Sequence, residues 1–292
     1  MKYMLLLLLG VLGCSMSPVF VRFSTVPSMV LVIYRMGITM LLLAPAAWRC
    51  RKEFAGLPRK SLLLCGASGV LLGIHFATYF ESVKNTSIAA SSVLCNMSVL
   101  FVPLLSVLLL RKKLSVGAWL SILLAFAGAV VVSLSGAGGG ADSALWGNFL
   151  ALLSAVFIAG YTLIGSVCRK SVSTTVYTYL VYCMAFVTVL VLTVVSGTPV
   201  LGYGAVNFAA ALGMAVFCTL LGHSMFSLVL KYLPAPLVST VQLLDCVLAF
   251  GWGIVLFSEY PGLTAILGGV IVVTGVVLYT RLTAREEETS KT

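Results

Sequence analysis

The sequence predicts an all-α polytopic membrane protein of about ten transmembrane helices, arranged as two inverted five-helix repeats. Three observations lead there. Of 292 residues, 61% are hydrophobic and only 9% charged, where a soluble domain carries about 25% charged residues, and mean hydropathy is +1.14. The apolar residues gather into runs of bilayer length, at about 20 residues per spanning helix. The chain also superimposes on itself when slid by 147 residues.

Taken in order, spans are expected at 3–21, 28–47, 61–81, 86–110, 114–134, 145–167, 174–196, 205–230, 234–257 and 262–281. Met1-Lys2, Leu5–Leu9 and Gly13-Cys14 faintly resemble a lipoprotein signal. The apolar character continues to Val21, however, so the segment reads as an uncleaved first span. Pro27, Pro58, Gly136–Gly140, Pro199, Pro234 with Pro236, and Pro261-Gly262 mark joints. Proline lacks the amide donor and biases the preceding residue away from the helical region. Pro18, Pro45 and Pro103 fall inside spans and are candidate kinks. The glycine and alanine runs Gly117–Gly128 and Gly268–Gly275 suit close helix packing rather than a nucleotide loop.

Fifteen of the eighteen Lys and Arg residues fall in alternate loops on one side. Only Arg22 and Lys84 fall on the other, and Arg35 lies inside the second span. Basic loops are retained in the cytoplasm, so both termini are expected there, in a cell (inner or plasma) membrane. The net charge of +10 is thus explained by loops beside the bilayer, and nucleic acid is not expected as a partner. The eight cysteines show no CxxC and no metal-ligand spacing, so no disulfide, metal or cofactor site is expected.

The 147-residue offset places Lys84 on Lys231, Ser92 on Ser239, Ala118 on Ala265, Leu120 on Leu267, Gly128 on Gly275 and Val130 on Val277, without a gap. An odd number of spans per half makes the halves face opposite ways. In secondary transporters such repeats bring the substrate to a site near the midplane. The expected organisation is a first repeat over 1–134, a Gly-rich external linker over 135–144, a second repeat over 145–282 and a charged cytoplasmic tail over 283–292.

These residues resemble the EamA-type branch of the drug/metabolite transporter superfamily. HFATYFESVKNTSIAASSVL (75–94) resembles its third and fourth spans, and LGHSMFSLVLKYLPAPLVSTVQLLDCVLAFGWGIVLFSEYP (221–261) its eighth and ninth. The IYRMG around Arg35 matches an arginine that many members carry in span two. The resemblance implies ten helices, alternating access, no nucleotide hydrolysis, and export or uptake of small metabolites such as amino acids. Two departures stand out. Where members carry glycine-glutamate near the ends of spans four and nine, this chain has Arg111-Lys112 and Ser258-Glu259. Where relatives show Gly-Glu-Pro in span nine, it has Leu244-Asp245-Cys246.

An ionisable residue at membrane depth is expensive and therefore a candidate site residue. Asp245 shares a helical face with Gln242, Ala249 and Trp252, suited to an ammonium group or a proton; the alternative is a structural ion pair or a capped polar group. Arg35 either binds a substrate carboxylate through its fork or neutralises Asp245. His75 and Tyr79 lie four apart in span three. His75 relays protons or bonds a neighbouring helix, and the same two readings hold for His223, which has Thr219 and Ser227 on its face. Asn96, with Ser92 four residues earlier, lines the cavity or joins two helices. Glu81 and Lys84 read as a solvated pair at the outer end of span three.

The expected function is secondary transport, favouring export, of a small polar or amphipathic metabolite, with the bilayer and the metabolite as partners and protons as a candidate coupling ion. Nothing matches GxxxxGK[ST], HExxH or GxSxG. A non-transporting sensor or partner subunit is the alternative, and an integral-membrane enzyme the more distant one.

Overall fold

The computed structural model describes residues 2–110, 114–135, 141–169, 171–229, 232, 241–242 and 244–289. Among them every regular element is a helix. Span 1 comprises α1 (Lys2–Ser15) and α2 (Ser17–Phe23). Span 2 is α3 (Ser28–Arg49), followed by the short α4 (Arg51–Ala55). Span 3 is α5 (Arg59–Asn85), span 4 is α6 (Ile88–Asn96) with α7 (Ser98–Leu110), and span 5 is α8 (Val116–Ser135). Spans 6 and 7 are α9 (Ala141–Cys168) and α10 (Thr174–Val195). Span 8 is built from α11 (Ala205–Gly213), the π-helix α12 (Met214–His223) and α13 (Ser224–Val229). Spans 9 and 10 are α14 (Leu244–Phe257) and α15 (Leu263–Thr289).

Eight of these segments are long and apolar enough to cross a membrane, and Val116–Val132 and Leu244–Phe257 are shorter apolar helices. Leu41, Leu63, Val195 and Val255 are at least three-quarters or nearly three-quarters exposed, as residues facing lipid tails would be. The expected linker residues 136–140, together with Arg111, Lys112, Lys113, Lys231, Pro234 and Pro236, lie outside the described residues. Some boundaries differ from expectation, among them the end of α5 at Asn85. Helix α9 already begins at Ala141, and α15 runs on to Thr289 through much of the expected tail. Of the three candidate kinks, Pro18 sits in the first turn of α2, just after the break at Met16. Pro45 and Pro103 lie inside α3 and α7, and span 4 breaks earlier, at Met97.

The helix contacts come in reciprocal sets. Span 3 packs on span 6, and span 8 on span 1; span 3 packs on span 7, and span 8 on span 2. Span 4 meets span 6 as span 9 meets span 1, while spans 2 and 7, and spans 5 and 10, meet as pairs. Without water to drive them together, membrane helices adhere where small residues let backbones touch. A Cβ on Gly128 would stand 2.7 Å from the Val272 nitrogen, and one on Gly275 would stand 2.8 Å from the Ala125 nitrogen. The runs at Gly117–Gly128 and Gly268–Gly275 are therefore packing surfaces joining spans 5 and 10. Span 1 approaches span 8 equally closely, with a Gly13 Cβ reaching 2.4 Å from the Phe217 carbonyl oxygen.

Candidate functional site

Helix α3 carries Arg35 into the middle of the bundle, where it is 1% exposed. The guanidinium lies over the Phe76 ring, 4.1 Å from its centroid, with Phe80 at 5.7 Å. Such stacking favours arginine over lysine because the fork is planar and weakly hydrated. Its Nε donates to the Thr219 hydroxyl oxygen at 2.8 Å. Both η nitrogens are buried without a hydrogen-bond partner, as is the Tyr182 hydroxyl. The offset that relates the two halves puts Tyr182 at the position of Arg35.

Thr219 is available because span 8 unwinds locally. Through α12 the turn widens to i→i+5, and the Thr219 hydroxyl donates to the Met214 carbonyl, five residues back, at 3.3 Å. π-segments of this kind are rare and gather at functional sites.

Helix α14 brings Asp245 into the same region from the opposite flank. Asn96 Nδ2, which also donates to the Ser92 carbonyl at 2.9 Å, donates to Asp245 Oδ2 at 3.3 Å. Asp245 Oδ1 is buried without a partner. Cys14 and Cys218 lie within electrostatic range of both Arg35 and Asp245, and no ion pair joins those two groups. Tyr79 lies nearby, with its hydroxyl 3.5 Å from Ser92 Oγ and its ring stacked on His75 at 6.0 Å.

A family model described as the EamA-like transporter family matches residues 1–134 and 145–281. The chain belongs to the EamA-like transporter family. It is thus a membrane transporter rather than an enzyme. Relatives in Pseudomonas aeruginosa strains UCBPP-PA14 and PAO1, each named pseudopaline exporter CntI, are 26% identical over 261 residues, spanning 88% of both chains. An uncharacterized transporter of Clostridium kluyveri is 25% identical over 223 residues, 74% of this chain and 70% of its own. A solved structure matches 98% of this chain and 99% of its own at TM-score 0.66 and 19% identity, a likeness of fold alone.

Within this EamA-like bundle the expected site residues separate into groups. Arg35 and Asp245 each hold buried polar atoms without a partner, and no ion pair joins them. The fork is held by Thr219 and Phe76, and the carboxyl by Asn96, so each is anchored on its own flank. His75 faces the Ser154 carbonyl through Nδ1 at 3.0 Å. A carbonyl only accepts, so this nitrogen carries the proton, and the histidine bonds a neighbouring helix. His223 meets the Phe76 ring edge-on at 5.6 Å, and the Ser227 side chain lies outside the described ones. Trp252 turns to span 1, donating through Nε1 to Ser15 Oγ at 3.1 Å. Gln242 is half-buried.

The expected Glu81–Lys84 pair does not form. Lys84 donates instead to the Val26 carbonyl, and Glu81 accepts from Ser28 Oγ at 2.7 Å and Asn85 Nδ2 at 3.0 Å. Both side chains are half-buried, and nearby neutral groups satisfy them without mutual contact. Thr219 and Tyr182 are the residues that sequence reasoning undervalued; the repeat offset from Arg35 was the available signal for Tyr182.

Thr219→Val should let the Arg35 fork rotate, weakening the apparent affinity of a transported acid about tenfold, the scale of one lost hydrogen bond to a charged group. Thr219→Ser should restore it. Half-saturation concentrations for flux in proteoliposomes measure both.

Proposed function

We propose that this chain is a secondary transporter that exports a small amphipathic metabolite bearing amino-acid-like groups, by alternating access around the chamber between its two repeats. The observation that carries the reading is the pair of groups with buried, unmet atoms, Arg35 and Asp245. Arg35 offers two free donors in a fork, the geometry that suits a carboxylate, and Asp245 offers a free carboxyl oxygen, which suits an ammonium. A buried charge without compensation costs several kcal/mol, and a zwitterion spanning the chamber would compensate both ends at once. The Tyr182 hydroxyl supplies a further donor on the arginine side.

The reciprocal helix contacts and the family match on either side of residue 135–144 support two repeats related by the 147-residue offset. The loop charge count supports cytoplasmic termini. The relatives named as pseudopaline exporters support export as the direction. Asp245 is also the group through which proton movement would be coupled, since it is the acidic side chain at the chamber.

Reconstitution of the chain alone in proteoliposomes tests the reading. Saturable flux with counterflow is expected for one or more amphipathic metabolites; the absence of flux across a broad panel of amino acids and their derivatives would refute it. Asp245→Asn should keep counterflow while losing accumulation driven by a pH gradient. A normal response of that variant to the gradient would remove Asp245 from the coupling role.

A further inference from the structure

The end of the bundle that carries Arg22 is closed by side chains that tie one half of the molecule to the other. Arg22, in the last turn of α2, donates from one η nitrogen to the Thr86 carbonyl at 2.6 Å and pairs with Glu259 Oε1 at 3.0 Å. The other carboxylate oxygen of Glu259 accepts from the Ile88 amide at 2.9 Å, at the start of α6. One carboxylate of the second half therefore bridges span 1 and span 4 of the first. Both partners are about three-quarters buried.

The chain is bent to make this contact. Ser258 has φ 53°, a left-handed conformation that favours glycine. The turn it makes lets the Glu259 amide donate to the Gly253 carbonyl at 3.0 Å and folds the carboxylate back over the end of α14. A Cβ on Gly253 would lie 3.8 Å from Glu259 Oε2, so the small residue leaves room beneath it. Strain of this kind persists where surroundings over-determine it, and it clusters at switch regions. Phe23 and Phe257 pack alongside, with ring centroids 5.2 Å apart. The Thr25 amide, which donates to Asn207 Oδ1 at 2.9 Å, and the Thr86 hydroxyl, which donates to Asn148 Oδ1 at 2.8 Å, add further ties between halves at this end.

The sequence does not repeat this arrangement at the opposite end. The 147-residue offset carries Arg22 to Arg169 and Glu259 to Lys112. The attractive pair thus corresponds in the sequence to two basic residues. At the opposite end, among the described residues, the Ser173 amide donates to Glu53 Oε1 at 2.7 Å, a contact with no counter-charge.

We propose that Arg22 and Glu259 form a latch closing the Arg22 end of the transporter, a pair that the sequence does not repeat, since the 147-residue offset relates it to two basic residues, Arg169 and Lys112. The chain at rest is therefore biased towards opening at the Arg169 end. By the loop charges that end is cytoplasmic, where an exporter collects its load. The latch opens when the loaded chamber rearranges, and the bias resets the empty carrier.

The inference rests on the alternating-access reading, and hydrogen–deuterium exchange on the purified full chain in lipid nanodiscs tests the two separately. Glu259→Gln should speed exchange about tenfold in peptides covering 83–92 and 254–262, the scale expected for losing a charged hydrogen bond. It should also slow exchange at the other end, around 50–58 and 168–176, because opening one end closes the other. Arg22→Gln should do the same, and the double variant no more than either single one. Lys112→Glu, which puts an acid at the position that the 147-residue offset relates to Glu259, should shift exchange in the same two directions. Faster exchange at the latch with none slowed opposite would show a structural clamp and overturn the proposal. A reciprocal response to Lys112→Glu alone would leave alternating access standing and remove the latch. No reciprocal response in any variant would remove both.

Discussion

Replacing Arg35 with glutamine is expected to weaken transport of a carboxylate-bearing substrate about 100-fold in half-saturation, the scale for losing one partner of a buried charged pair. The same variant should unfold at a higher temperature than the unmodified chain in the absence of substrate. The two effects have one origin. The guanidinium is 1% exposed and both η nitrogens are unmet, and an uncompensated buried cation is destabilising. A group that harms the empty protein and helps the loaded one belongs to a binding site. A purely structural arginine would behave oppositely, with Arg35→Gln lowering the unfolding temperature and leaving half-saturation unchanged. Arg35→Lys keeps the charge yet should recover little flux, because an ammonium reproduces neither the fork nor the stacking on Phe76. Thermal unfolding in detergent, with and without a transported substrate, together with counterflow, measures all of these.

The second large effect is on assembly. Gly13→Ala should destabilise the bundle by about 1–3 kcal/mol, the usual range for forced overpacking. The added methyl would stand 2.4 Å from the Phe217 carbonyl oxygen, and that atom is backbone, so spans 1 and 8 must separate to admit it. Gly251→Ala is the matched control, since a Cβ there meets nothing within 4 Å. In the interior of α14 that change should stabilise by up to about 1 kcal/mol through helix propensity. Opposite signs for one chemical change would show that backbone contact, rather than glycine content, holds the spans together. Unfolding midpoints of the two variants in one detergent decide it.

The spans themselves were legible in the sequence because hydropathy is a property of segments, and segments are long. Most expected spans correspond to helices whose ends agree within a few residues. Close packing at Gly128 and Gly275 was legible for a related reason: a missing side chain constrains the partner whatever its identity. Pairings between polar side chains were not. Asp245 faces Asn96 rather than Arg35, and Glu81 faces Ser28 and Asn85 rather than Lys84. Such choices depend on the rotation of each helix about its axis, which spacing along one strip of sequence does not specify. Arg22 was legible as a loop charge but not as the partner of Glu259, 237 positions away in the chain. Thr219 was hardest to see, since its approach to Arg35 depends on a local change of helical period.

That change of period has a consequence for how such chains are compared. Met214–His223 accommodates what amounts to one inserted residue inside the bilayer. Deleting a residue there would leave the length and apolarity of span 8 almost unchanged. It would nonetheless turn everything that follows by about 100° around the axis, the rotation per residue of an α-helix. Alignment gaps in membrane proteins are customarily assigned to loops. A relative whose eighth span winds as an uninterrupted α-helix would need its gap in mid-membrane, and placing it elsewhere would pair the wrong residue with Thr219.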